Sequence, residues 1–520
     1  MTSSRGFIES WWRELPQPTA ARWAALFFSF HVLTLLISVA ASQAFLAAAT
    51  VAYLIHLLRF RQVALASRPL WRERPAPARG QDARATPARQ AINFPPVKLP
   101  LLLFCLATFN SMLWAAQPAV GGFALRKLVL FLILLLSVNL IGSARHLGVL
   151  FRGLFLVSAL AGLVATAQFV VQYQTVRRLH PDHVYFYMTL TRGAAFMGHW
   201  MNFGGQQMLL FSALLAFLLS SNAVIPTLSG AKGRNLALLR GRSGIKDQSK
   251  IPRCARNDTV QDRRGKWLYW LVMTIVATSL VLNFTRGVWL GCLVATLYVV
   301  ARWKPRTLWA IPLLLVVTYL AAPSLIRRRV SLAFHPKDDP ALAIRLEMWD
   351  AGLKMVREHP WVGVGPENIP IVYAQYLPPG TTPMIGYHDH LHNDFLQLAA
   401  ERGLPCLAVW LWFMLALGWN FLRIRHRLAS LRWVADAAFA AWLAFLAEGF
   451  FEFNFGTSPV LMVFLFLMST PFVAENLKRR EHELKGDGLP SPDRVPDAVQ
   501  GRATPTPTEG PPSQQTLPRG

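Results

Sequence analysis

The chain has 520 residues, of which 53% are hydrophobic and only 15% charged, with 18 tryptophans. Its repeated apolar runs approach the roughly 20 residues that cross a bilayer, which excludes an ordinary soluble globular protein and predicts an all-α, polytopic integral membrane protein. The formal net charge of +26 would suggest a nucleic-acid partner in a soluble chain, but Lys and Arg cluster in the loops between apolar runs, so no nucleic acid is expected.

An amino-terminal segment, 1–22, precedes a first transmembrane pair over 23–58, read as runs 23–39 and 44–58. "SVAASQA" between them resembles a signal-peptide cleavage site, but the long preceding region and the second run that follows at once favour an uncleaved pair of short helices. A Pro-rich loop over 59–98 carries nine Lys and Arg. Spans three to six occupy 99–225, as runs 99–116, 125–141, 154–171 and 204–224, with an intervening loop at 172–203. A second basic loop follows at 226–266, then spans seven to nine within 267–326 (268–284, 288–300, 308–326). The largest loop runs over 327–403, and spans ten to twelve lie within 404–475 (404–422, 433–450, 460–473). The Pro/Thr/Gly-rich tail, 476–520, reads as disordered. The total is about twelve spans, and the positive-inside rule places both basic loops and both termini in the cytoplasm, with Arg126 and Lys127 as exceptions. The loops at 172–203 and 327–403 then lie outside. The cysteines Cys105, Cys254, Cys292 and Cys406 show no pairing pattern for a disulfide or a zinc site.

Four polar stretches converge on that outer face. "TRGAAFMGHWMNF" carries Arg192, His199 and Asn202, and "NFTRGVWLG" carries Arg286. "IRLEMWDAGLKMVREHPWVGVG" reads as a helix bearing Arg345, Trp349 and Asp350 that stops at His359, because a following proline disfavours helix. Any one arginine at a membrane edge can be a cation snorkelling to headgroups. Three of them on one face suit the oxygens of a lipid-linked diphosphate, which a guanidinium fork matches without losing its charge.

The fourth stretch, "HDHLHNDFLQLAAERG", holds His388, His390 and His392, which share one face of an extended segment. Metal binding, proton transfer or substrate binding, and a plain solvated loop are all open to it. No carboxylate-bearing metal motif accompanies the histidines. His392 is the leading candidate for proton transfer, because Asn393 or Asp394 can cap the helix that follows and fix its position. Glu401 lies nine residues further on, roughly 13 Å along a straight helix, out of reach of His392, and is read as a partner for an arginine or as an interfacial carboxylate. Glu448 and Glu452 carry the same two readings. "MWDAG" is similar to a tetrapeptide of metal-dependent oligosaccharyltransferases, but the outer loops contain no Asp-x-Asp to support it.

Taken together, these motifs resemble those of the O-antigen ligase and polymerase superfamily, with its Wzy_C-type ligase domain. The resemblance runs from about Leu99 to Val473. Its most specific part is "RLEMWDAGLKMVREHPWVGVGPENI" followed by "HLHNDFLQLAAERGLPCL": Arg-x-x-x-Trp, His-Pro-x-x-Gly-x-Gly, then His-Asn and Glu-x-Gly. Two departures stand out: Cys406 where glycine is common, and "GHW" in place of "GNP" before Asn202. The resemblance implies a metal-independent, inverting glycosyltransferase of the bacterial inner membrane, without cofactors. Such an enzyme takes a glycan from undecaprenyl diphosphate at the periplasmic face and joins it to an acceptor hydroxyl such as that of lipid A-core. His392 would be the general base, and Arg192, Arg286 and Arg345 would hold the diphosphate. Asn202, Trp349, His390, Asn393 and Glu401 would support them. A polymerase of the same superfamily is the nearest alternative, and a transporter of glycolipid or polysaccharide precursors the more distant one. Transporter sites sit near mid-bilayer between repeats, whereas no internal repeat is visible here and the polar groups gather at one face.

Overall fold

A computed structural model describes residues 19–66, 92–219, 253–381, 389–428 and 431–484. The segment 1–18, most of both basic loops, His388 and the tail from 485 lie outside the described residues. The chain divides into two compact units, 1–477 and 478–520, and the helical bundle with its cavity belongs to the first.

Every described regular element is helical, with no strand among the described residues. The helices are α1 (Thr19–Thr34), α2 (Val39–Ala66), α3 (Lys98–Leu113), α4 (Pro118–Leu140), α5 (Ala144–Leu179), α6 (Val184–Leu190), α7 (Trp200–Leu219), α8 (Arg253–Leu282), α9 (Arg286–Trp303), α10 (Ala310–Ala321), α11 (Ser324–Ser331), α12 (Pro340–Glu358), α13 (Asp394–Arg427), α14 (Arg432–Glu448) and α15 (Ser458–Leu484). Among the described residues six helices are long and apolar enough to cross a membrane: α2, α4, α5, α7, α13 and α15, of which α2 qualifies over Val39–Arg59 and α15 over Ser458–Glu483. Shorter apolar stretches at Lys98–Leu113, Lys266–Leu282 and Pro305–Ala321 join them. This is a multi-pass membrane protein.

Burial sorts the helices. α7 and α15 are buried over 78% and 83% of their most apolar stretch, against 33–41% for the other long helices. A helix that is apolar all round and buried on every side belongs to the bundle interior, whereas one buried on a single stripe faces lipid. Around α7 pack α9 and α14, while α3 packs on α13 and α5 on α8. The first pair forms a hairpin held by His31 of α1, whose Nδ1 lies 2.9 Å from the Ser42 carbonyl of α2.

Several helix boundaries differ from the sequence expectation, as in α5, which spans Ala144–Leu179 against the expected 154–171, and two of them have a local cause. The run 308–326 is broken by Pro323, which lacks an amide hydrogen and forces Ala322 into the extended region (ψ 146°). The result is a separate amphipathic turn of helix, α11, that carries Arg327, Arg328 and Arg329. Span ten begins at Asp394, ten residues before 404, because Asn393 Oδ1 accepts from the Leu396 amide and caps the helix there.

Helix α13 is kinked at Gly403 (φ 81°, ψ 165°), just before Pro405, which supplies no amide. That break frees the carbonyls of Ala400 and Glu401, and the "HPWVGVG" loop satisfies them. Val364 N donates to Ala400 O and Gly365 N to Glu401 O, each at 2.9 Å, while Leu404 N turns to Pro360 O at 2.8 Å. The loop approaches so closely that a Cβ on Gly363 (φ +68°) would meet the Glu401 carbonyl carbon at 2.2 Å, and one on Gly403 would meet Trp361 O at 2.3 Å. Two motifs about 40 residues apart are therefore one structural unit, which docks α12 and its loop against α13.

Candidate active site

The loop between α14 and α15 interlocks with the segment before α13. Asp394 N donates to Gly449 O at 2.7 Å, Asn393 Nδ2 to Phe450 O at 3.1 Å, and Phe455 N to Asp394 Oδ1 at 3.0 Å. These bonds carry Glu452 to the histidines. His392 Nδ1 lies 3.0 and 3.2 Å from the two carboxylate oxygens of Glu452, and His390 Nε2 lies 3.2 Å from Oε1. A carboxylate only accepts, so each of those ring nitrogens carries its proton toward Glu452, and in the neutral tautomer of His392 the lone pair is on Nε2. Burial pushes Glu452 toward the neutral acid, but the charge and hydrogen bonds of His392 and His390 outweigh it and hold the carboxyl well below its usual range. Burial likewise pushes His390 down, and the Glu452 hydrogen bond and charge reverse that to a net upward shift.

His392 is held in the left-handed region at φ 48°, a conformation that costs a non-glycine residue about 1–3 kcal/mol unless its surroundings enforce it. They do so here. Trp349 Nε1 of α12 donates to Leu391 O at 3.0 Å, and the Leu391 amide donates to Gln397 Oε1 at 2.7 Å. Gln397 Nε2 in turn donates to Glu401 Oε1 at 2.8 Å, which also accepts from Glu367 N at 3.0 Å. Glu401 thus supports the histidine loop through Gln397. An arginine also pairs with it: Arg402 Nε lies 3.8 Å from Glu401 Oε2.

His392 and Glu452 form one wall of an open cavity, about 720 Å³ with the solvent at its mouth included, whose other walls carry Arg192, Arg286, Arg329 and Arg345. Thr189, Trp200, Met201, Thr285, Gly287 and Met348 complete much of the lining. Each guanidinium is aimed by a backbone or side-chain anchor. Arg192 donates from Nε to Thr189 O at 2.9 Å and from Nη1 to Thr285 Oγ1 at 3.3 Å, with its carbon 5.1 Å from the Trp200 ring centre. Arg329 donates from Nε to Phe284 O at 3.0 Å. Arg286 pairs with buried Asp339, and Arg345 lies 3.8 Å from Glu452 Oε2. Arg286 and Gly287 also open α9, so the N-terminus of that helix borders the same space.

Four guanidinium groups against Glu452 and Asp339 leave the cavity strongly cationic. Burial, together with repulsion from Arg329 and Arg345, pushes Arg192 down to about 9. A group so placed is still charged at neutral pH and favours any anion that enters. The arrangement offers a fork-shaped cradle for phosphate oxygens beside an imidazole whose free nitrogen can accept a proton.

The structure thus brings Arg192, Arg286, Arg345 and His392 to one cavity, with His390, Trp349, Asn393 and Glu401 behind the histidine wall. Asn202 does not line it; Trp200 and Met201 from the same turn do. His199 stands exposed beside Trp200, its Nδ1 accepting from the Met201 amide at 3.3 Å in the first turn of α7. Cys406 is fully buried where α13 packs. Sequence reasoning did not name Arg329 or Asp339, and it read Glu452 only as a partner for an arginine or an interfacial carboxylate, not as the partner of the histidines. The ground for setting a metal aside, the lack of a carboxylate near the histidines, does not hold in three dimensions, because Glu452 provides one.

No curated protein matches the chain. The model of one family, described as O-antigen ligase (Wzy_C), matches residues 271–411. That stretch contains Arg286, Arg329, Asp339, Arg345 and the histidine segment, while Arg192 and Glu452 join it from outside. Residues 271–411 thus carry the O-antigen ligase (Wzy_C) domain that the motifs resemble.

Proposed function

We propose that the protein is an O-antigen ligase-like glycosyltransferase of the inner membrane, moving a glycan from undecaprenyl diphosphate to an acceptor hydroxyl such as that of lipid A-core at the periplasmic face. The observation that carries this reading is the single cavity in which four arginines face the His392–Glu452 pair. The arginines hold the donor diphosphate. His392 Nε2 takes the proton of the acceptor hydroxyl as its oxygen attacks the anomeric carbon. The bond from that carbon to the phosphate oxygen breaks, the configuration inverts, and polyprenyl diphosphate leaves. Negative charge grows on the leaving phosphate, where fixed guanidinium groups stabilise it. Glu452 holds the imidazole in the tautomer that leaves Nε2 free and balances its charge once it is protonated, as a buried carboxylate does in other His-dependent transfers. No step needs a metal.

The test is reconstitution of the purified protein in lipid with a polyprenyl-diphosphate glycan, offered lipid A-core and a second polyprenyl-linked glycan in separate reactions. Transfer to lipid A-core supports the reading, and chain extension on the polyprenyl carrier alone makes the protein a polymerase of the same superfamily. Absence of both products, with the glycan instead moved intact across the bilayer, would replace it with a transporter.

A further inference from the structure

We propose that His390, His392 and Glu452 also form a binding site for one divalent transition-metal ion of the zinc class, and that its occupancy silences His392. The silencing half rests on the role of His392 proposed above; the binding half does not.

The three side chains offer ligand atoms that all lie within 4.8 Å of one another. Their closest separations, 3.0 to 3.2 Å between nitrogen and carboxylate oxygen, approach the edge of a zinc tetrahedron, which bond lengths of about 2.0–2.1 Å set near about 3.3 Å. A metal can therefore replace the two shared protons, with the two imidazole nitrogens, within 4.8 Å of each other, closing to the same edge. Two imidazoles and one carboxylate select borderline-soft ions over magnesium or calcium, whose sites are built from oxygens. Glu452 and His392 are buried and already fixed by the interlocked loops, while His390 is half-buried and offers an approach from solvent. The fourth position is left for water, as in other sites with three protein ligands. The nearby arginines oppose a cation, so the site suits an ion that coordinates covalently rather than one held by charge alone.

Binding acts on the tautomer. With Glu452 as acceptor, the His392 proton sits on Nδ1 and Nε2 is the base. A metal on Nδ1 needs that lone pair, so the proton moves through solvent to Nε2, which becomes a donor and can no longer take a proton from a hydroxyl. Glu452, now a ligand, loses its orienting role at the same time.

The experiment is equilibrium dialysis of the full-length purified protein against zinc chloride, alongside transfer activity with and without zinc, for the wild type, His390→Ala and His390→Gln. Both variants are first checked for an unchanged unfolding temperature. The expected result is one zinc bound by the wild type that is lost or weakened at least about tenfold in both variants. Zinc should inhibit wild-type transfer reversibly, chelator should restore it, and the inhibition midpoint should rise by the same factor in the variants. Equal zinc binding by wild type and variants overturns the site. Zinc inhibition that is unchanged in the variants overturns the silencing. If the protein shows no transfer at all, the reaction reading fails, and the dialysis still decides the site.

Discussion

His392 and Glu452 are 60 residues apart in the chain, yet their side chains meet at 3.0 Å because the loop after α14 hydrogen-bonds to the cap of α13. The loop and the cap hold acid and imidazole in register. Replacing Glu452 with Gln keeps the size and an accepting oxygen but removes the charge that supports a protonated imidazole. Turnover should fall about a hundredfold while donor affinity stays within a few fold. Steady-state kinetics on reconstituted protein separates the two, and an unchanged kcat would make Glu452 a packing residue.

Arg286 and Arg329 test the fork. In each, lysine preserves the positive charge but presents one point where the guanidinium presents several donors. Arg286→Lys and Arg329→Lys should each weaken donor binding about tenfold or more, the size expected for one hydrogen bond to a charged group. Titration with a polyprenyl-diphosphate glycan measures it, and wild-type affinity in Arg286→Lys would leave that residue only the ion-pair partner of Asp339.

The excess charge around Arg192 has a stability consequence. Its folded-state value of about 9 lies below the ordinary 12.5, so the unfolded chain holds the proton more readily. Stability therefore rises as pH passes upward through 9, and at neutral pH the full penalty of the buried charge remains. Inorganic pyrophosphate should relieve that penalty and raise the unfolding temperature of the wild type. Arg192→Met should respond to it at least severalfold less. An equal thermal response in both proteins would show that the anion binds elsewhere.

Gly403→Ala tests the kink. An added Cβ would meet Trp361 O at 2.3 Å in a backbone region that disfavours side chains, so the loop of α12 must detach from α13. The protein should lose about 1–3 kcal/mol of stability, seen as a lower unfolding temperature in detergent, and lose transfer activity with it. A variant of wild-type stability would mean that the loop and the kinked helix are not coupled.

The helical runs, the cavity residues Arg192, Arg286 and Arg345, and His392 are readable because each sits in a local pattern: an apolar stretch, an Arg-Gly step or an Arg-x-x-x-Trp, a His-Asn at a helix start. The residues that were not readable owe their roles to distant partners. Glu452 stands in "FEFNF", which reads as a partner for an arginine or an interfacial carboxylate, and nothing local shows the loop folding back on His392. Arg329 is the third basic residue of "IRRRV", a run that looks like cations reaching for headgroups, and only the break at Pro323 turns it toward Phe284 O. Motif spacing points to Asn202, but the helical rotation at the start of α7 gives the cavity Trp200 and Met201 instead. The "HPWVGVG" and "ERGLP" motifs were visible separately, and their mutual hydrogen bonding was not, since nothing local records which carbonyls a kink will free.

The most direct measurement is transfer by His392→Ala beside wild type, reconstituted with a polyprenyl-diphosphate glycan and a lipid A-core acceptor, with donor binding measured on the same samples. The account predicts that the variant binds donor like the wild type and forms product at least about a hundredfold more slowly. Product at the wild-type rate from His392→Ala would contradict it.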